Sequence, residues 1–254
     1  MASGRYPCAA SSLLDEVLDG APLRLVEVTR TRVSVHYETP SPAVPVLCVG
    51  TPAAVRLPAS LVTQQLPPSG PTMVGDGVLV AAGETWYPTR WWRPSRPRGL
   101  PRPALTAADL ADLLPDDETP SGWGVTWPGA TYDGLAAAGL LGAGPGLTPA
   151  GDDVLAGALV AAHATADPRL PRWARETRAG LAGTRTTAVS RAMLHHALDG
   201  YSSPELARFV GAVCRVHDVE EARAGLLDVG HTSGAALMVG VLHTLSTYEL
   251  EGAT

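Results

Sequence analysis

Gly142-Ala143-Gly144-Pro145-Gly146-Leu147-Thr148-Pro149-Ala150-Gly151-Asp152-Asp153, followed at once by the uncharged run Val154 to Ala162, sets how the rest of the chain is read. Thr148 is a good N-cap, and Pro149 suits the first helical position because its missing N–H has no intrahelical partner there. The spacing therefore predicts a helix that begins here. With no charged residue between Val154 and Ala162 it has no wet face, so it is expected to be buried. Its start joins a glycine-rich turn, free N–H groups and two carboxylates near a protein interior. The N–H groups and the helix dipole favour an anion, whereas the aspartates favour a cation or a proton donor. A site that holds an anionic substrate, directly or through a metal ion, reconciles the two. The plainer reading is that the aspartates only offset the dipole and cap the turn. Desolvating paired acids is costly without compensation, which favours a functional role.

A second turn echoes the first. Gly230-His231-Thr232-Ser233-Gly234 precedes another apolar run, Ala235 to Leu242. Setting Gly234 against Gly151 also sets Leu237 against Val154 and Gly240 against Gly157. A glycine inside a helix costs about 1 kcal/mol relative to alanine, so two at the same offset point to close backbone packing. The two helices are expected to cross near Gly157 and Gly240, with both starts facing one cavity. Asp152 and Asp153 then correspond to Ala235 and Ala236, and the acids are confined to the first turn. His231, Thr232 and Ser233 supply neutral donors or acceptors from the other side, and a histidine can change charge near neutral pH. A loop-bonded structural histidine is the alternative for His231. His163, His195, His196, His217 and His243 fall on predicted helices and read as structural or exposed.

Upstream of these turns the pattern is different. Ser11 to Asp19 reads as a short amphipathic helix. Leu23 to Val28, Val33 to Tyr37, Val44 to Val49, Ala54 to Leu57, Val78 to Ala81 and Thr85 to Tyr87 read as short strands separated by prolines, glycines or charges. Such closely spaced strands predict a small barrel or sandwich over residues 20 to 95. Trp86, Tyr87, Trp91 and Trp92 are expected to close that domain rather than to stack on a ligand. Arg93, Arg96, Arg98 and Arg102 alternate with Pro94, Pro97, Pro101 and Pro103, and read as a solvated connector more than as a phosphate or acidic-partner site.

Beyond it, Thr106 and Asp109 form a capping pair for a helix through Leu114. Pro115 to Gly124 reads as loop, and Leu135 to Leu141 as a short helix. Asp167-Pro168 breaks the central helix. Trp173 to Leu181, Thr187 to Leu198 and Glu205 to His217 read as further helices. The fold class is thus α+β: a β-rich domain over 1–95, a Pro/Arg-rich connector with a short helix over 96–129, and a helical domain over 130–254.

Composition narrows the function. The 254 residues suffice for a large core, and a net charge of -6 argues against nucleic acid as a main partner. Cys8, Cys48 and Cys214 lie far apart in odd number, so neither a disulfide framework nor a zinc site is expected and the cytoplasm is the natural compartment. No signal peptide or membrane span is expected. Phosphate-loop, nucleophile-elbow and H-E-x-x-H patterns do not occur. Gly142, Gly144 and Gly146 follow an alanine-rich segment rather than a strand, so they are not a dinucleotide loop.

Taken together, Gly144 to Asp153, Arg185-Thr186 with Ser190, Leu194 and Gly200, and Gly230 to Gly234 resemble the AllH family over roughly residues 130 to 245. The resemblance implies a subunit of a multi-subunit transferase of nitrogen metabolism, working beside an FdrA-like subunit and a third subunit. The reaction it implies moves a carbamoyl group between oxalurate and phosphate, giving oxamate and carbamoyl phosphate. The sequence departs from the pattern at Ala236, where an acid is expected. On this footing the N–H groups around Gly144 and Gly146, with Gly151 and Gly234 at the helix starts, are expected to hold phosphate or a substrate carboxylate. Thr148, Thr186, Ser190, Thr232 and Ser233 would orient the neutral amide part. Asp152 and Asp153 would bind a magnesium ion (Mg2+) through oxygen or assist proton transfer, with His231 as a third catalytic group. Two other readings stay open: a stand-alone metal-assisted amide hydrolase or lyase using the same aspartates, and a non-catalytic ligand-binding subunit.

Overall fold

Alternating apolar residues build the first part of the chain into strands. In the computed structural model, which describes residues 4–103, 105–114, 137–183 and 186–246, the chain divides into two compact units, Met1–Pro94 and Ser95–Thr254. The first contains β1 (Arg5–Ser11), β2 (Leu23–Arg30), β3 (Ser34–Glu38), β4 (Val46–Gly50), β5 (Ser60–Thr63), β6 (Thr72–Gly75), β7 (Val78–Ala81) and β8 (Glu84–Trp92). They close into a barrel in the order β1-β5-β4-β3-β2-β6-β7-β8. The β1–β8 and β4–β5 pairs are parallel and the others antiparallel. Closure leaves no edge strand to aggregate.

Val35, Tyr37, Leu47, Val49, Leu61, Leu79 and Trp86 fill the interior. Trp86 is fully buried, stacks on Tyr6 with ring centroids 5.1 Å apart, and donates its indole N–H to the Gln65 carbonyl at 2.7 Å. Trp91, by contrast, is 49% exposed. A short helical segment, a 3-10 turn at Ser12–Leu14 and then α1 (Asp15–Asp19), packs Leu14, Val17 and Leu18 into the same core.

β6 arises where the sequence pattern is weak, over Thr72-Met73-Val74-Gly75. Asp76 and Gly77, then Ala82 and Gly83, all have positive φ, the primed turn geometry that matches strand twist. These turns pair β6 with β7 and β7 with β8. The expected strand at Ala54 to Leu57 is not formed, and β5 lies at Ser60–Thr63 instead. Residues 51–54 close a turn, with Ala54 N–H on the Thr51 carbonyl at 3.0 Å, and Pro52 and Pro58 contribute no ladder donors around them.

The second unit is helical: α2 (Ala107–Ala111), α3 (Ala137–Leu140), α4 (Ala150–Ala164), α5 (Leu170–Leu181), α6 (Ala188–Ala197), α7 (Pro204–Arg215), α8 (Val219–Leu227) and α9 (Ser233–Ser246). Thr106 and Asp109 form the expected capping box, but α2 stops at Ala111. The predicted loop Pro115 to Gly124 and the start of the helix predicted at Leu135 lie outside the described residues. Every residue of α4 but His163 is buried, as the uncharged run requires. Among the described residues no helix is long and apolar enough to cross a membrane.

From Ser95 on, the arginine- and proline-rich stretch runs along this unit, while the Arg96 and Arg98 side chains stay exposed as expected. Ser95 pairs with Ser202, Arg96 Nε donates to the Asp199 carbonyl at 2.7 Å, and Leu100 is buried with its N–H on the Ala164 carbonyl at 2.8 Å. Arg102 reaches the Asp167 carboxylate at 2.6 Å. The unpaired carbonyls that helix ends leave behind give this segment its partners.

Candidate active site

The helical unit contains one hairpin twice. In α3-turn-α4, the Ala143 N–H returns to the Leu140 carbonyl at 2.9 Å and the Gly151 N–H to the Ala143 carbonyl at 2.9 Å. In α8-turn-α9, Val229 and Gly234 repeat this on Leu226 and Val229, at 3.0 and 2.9 Å. A Cβ on Gly151 would overlap the Leu140 carbonyl, and one on Gly234 the Leu226 carbonyl. The copies also pack on each other reciprocally: a Cβ on Gly157 would overlap the Leu237 carbonyl, and one on Gly240 the Val154 carbonyl. The expected crossing of α4 and α9 at these glycines is therefore present.

This packing changes the role expected of several residues. Gly151 and Gly234 serve backbone approach, and their N–H groups are already bonded, which removes them from anion binding at the helix starts. The N-cap of α4 is Pro149, not Thr148. The Thr148 hydroxyl instead meets the Ser233 hydroxyl at 2.9 Å, joining the starts of α4 and α9. The two positive dipole ends thus lie together, and a negative or polar group between them offsets their repulsion.

Both aspartates point into this junction from the first turn of α4, at 0% and 1% exposure for Asp152 and Asp153. Asp152 Oδ1 accepts the Gly142 N–H at 2.9 Å and Oδ2 accepts the Thr186 hydroxyl. The buried Ser190 hydroxyl faces the same carboxylate without completing a hydrogen bond of normal geometry. Burial raises the Asp152 carboxyl above the usual aspartate range, against the pull of these three donors. Asp153 is driven much further up: burial dominates, the Ser233 and Thr148 hydroxyls pull the other way, and the charge of Asp152 adds to the rise. Its Oδ2 is buried without a hydrogen bond. Two carboxyls with different surroundings are thus divided between an acceptor held by donors and an acid that favours its proton.

Asp152, Asp153, Thr148, Thr186, Ser190 and Ser233 come together, whereas His231 is exposed in the turn two residues before Ser233. Thr232 is half-buried and its carbonyl accepts the Ala236 N–H at 3.0 Å within α9. Gly144 and Gly146 hold positive φ in the exposed bend of the first turn, a conformation glycine adopts without steric cost. The sequence presents Gly142 as part of the glycine turn and Thr187 as the start of a helix, but neither as a site residue. Thr187 caps α6 by accepting the Ser190 N–H at 3.1 Å and donates to the Leu147 carbonyl at 2.6 Å. Its spacing to Ser190 was a legible cap signal. A magnesium ion held by both carboxylates would have to displace the Gly142 and Thr186 donors. Among the described residues no three His, Cys, Asp or Glu side chains group as metal ligands.

No solved structure matches the chain. Residues 140–245, from the end of α3 into α9, match the AllH family, described as oxamate carbamoyltransferase subunit AllH.

Proposed function

We propose that this chain is a subunit of a carbamoyltransferase-type complex and that the junction of α4 and α9 binds the carbamoyl or small amide part of its substrate, oxamate or a close relative. The observation that carries this reading is the Asp153 carboxyl, buried between Thr148 and Ser233 with Oδ2 unpartnered. A buried polar atom without a partner is costly, so a ligand that satisfies it gains affinity. Attack of phosphate on a carbamoyl carbonyl puts negative charge on the carbonyl oxygen. A carboxyl kept neutral by burial donates a hydrogen bond to that oxygen, and the Thr148 and Ser233 hydroxyls add to it. The family's description as a subunit supports partner chains, and we place an FdrA-like subunit among them.

The test is carbamoyl transfer from carbamoyl phosphate to oxamate in an assembly reconstituted with its partner subunits. Asp153→Ala is expected to lower kcat by about 10²–10³, the usual cost of removing one oxyanion donor. Because the protonated form is the donor, wild-type turnover is expected to fall as pH rises through the folded pKa of Asp153. Unchanged turnover in Asp153→Ala removes this acid from the chemistry.

A further inference from the structure

Asp152 and Asp153 are adjacent in sequence but face different surroundings. Asp153 keeps an oxygen free, whereas both oxygens of Asp152 are taken by groups far away in the chain. Gly142, with φ of 71°, is where the backbone turns out of α3 into the glycine-rich bend. Thr186 lies immediately before the Thr187 cap of α6. Thr187 in turn holds the far end of the bend through the Leu147 carbonyl. The bend is therefore tied at one end to Asp152, at the other to the start of α6, and α6 is tied back to Asp152. This ring of hydrogen bonds adjoins the place where Thr148 and Ser233 meet, since Leu147 and Asp152 directly precede Thr148 and Asp153.

We infer that Asp152 is a positioning residue: it acts through the Gly142 N–H and the Thr186 hydroxyl to fix the glycine bend and the start of α6 around Asp153, and contacts neither substrate nor metal. A carboxylate suits the task because it accepts on both oxygens and has no proton to misplace. Asparagine has the same shape. Its oxygen accepts from Gly142, and its amide donates to Thr186, whose hydroxyl gives or receives equally well. Alanine instead leaves two donors unpaired. Asparagine therefore separates position from charge: a positioning role tolerates it, and a catalytic carboxylate or metal ligand does not.

The activity arm of the test rests on the reading of Asp153 given above; the exchange arm does not. Amide hydrogen exchange over residues 142–148 is measured in the full-length chain, with kcat and KM in the reconstituted assembly, for wild type, Asp152→Asn and Asp152→Ala. Asp152→Asn is expected to keep wild-type exchange and turnover. Asp152→Ala is expected to exchange faster over the bend and to lose about 10²-fold in kcat/KM, the scale of a misplaced catalytic group. If Asp152→Asn loses turnover while its exchange stays that of wild type, the charge acts directly and the inference is overturned. If the wild-type assembly shows no carbamoyl transfer, the functional reading fails alone. Exchange then decides, and an unaltered bend in Asp152→Ala overturns the positioning role. Should Asp152→Ala not fold, the asparagine variant decides unaided.

Discussion

Asp167 has no side-chain exposure and lies between two arginines. It accepts from Arg169 N at 2.8 Å, Nε at 2.9 Å and Nη2 at 2.7 Å, and from Arg102 Nη2 at 2.6 Å. Burial alone would raise its carboxyl, but the Arg169 side-chain and backbone hydrogen bonds, the charge of Arg169 and the Arg102 side-chain hydrogen bond hold it below the usual range. Because the folded pKa is depressed, the stabilisation is present above the ordinary aspartate pKa and is lost as pH falls through the folded value. Asp167→Asn is expected to cost about 3 kcal/mol at neutral pH in urea unfolding. Variant and wild type should converge in acid, and a difference that stays constant with pH would contradict the assignment. The sequence marked Asp167-Pro168 only as a break after α4. Its partners, Arg102 and Arg169, are recognised only once the chain is folded. The same holds at the site. The pairing of acids beside a glycine turn was visible, whereas their division into a bonded acceptor and a free acid depends on Gly142 and Thr186, which only tertiary contact delivers.

At the scale of elements, α4 and α9 were readable because each is an uncharged run with a glycine at the same offset from its turn. Their contact places those glycines where no side chain fits. Gly157→Ala or Gly240→Ala is expected to cost about 3 kcal/mol, the upper part of the range for overpacking a tight core, and to lower Tm by roughly 6–12 °C. Gly225→Ala in α8, where an added Cβ meets open space, is expected to be neutral or to stabilise by up to about 1 kcal/mol. Equal effects at all three positions would refute the crossing. Other elements were illegible for local reasons. β1 reads Arg-Tyr-Pro-Cys-Ala-Ala-Ser, with a proline and no β-branched residue, and it is a strand only because β5 and β8 flank it. β6 is short and follows Pro71, and the informative signal was the Asp76-Gly77 hairpin turn after it. In α8 only Ala222 and Leu226 are buried, so its apolar stripe is narrow.

Across the whole molecule, a closed barrel and a helical unit share one chain, and the family match covers residues 140–245 of the helical unit. The junction of α4 and α9 lies inside that matched region, and its polar groups come from three separated parts of the sequence: Thr148 with the aspartates, Thr186 with Ser190, and Ser233. In the function proposed above, this junction receives the amide substrate and Asp153 faces it. The most direct measurement is a crystal structure of the full-length chain with oxamate bound. Oxamate is expected within hydrogen-bonding distance of Asp153 Oδ2, with Thr148 and Ser233 turned towards it. Oxamate seated elsewhere, with Asp153 still sealed beside the Thr148–Ser233 pair, would contradict that function.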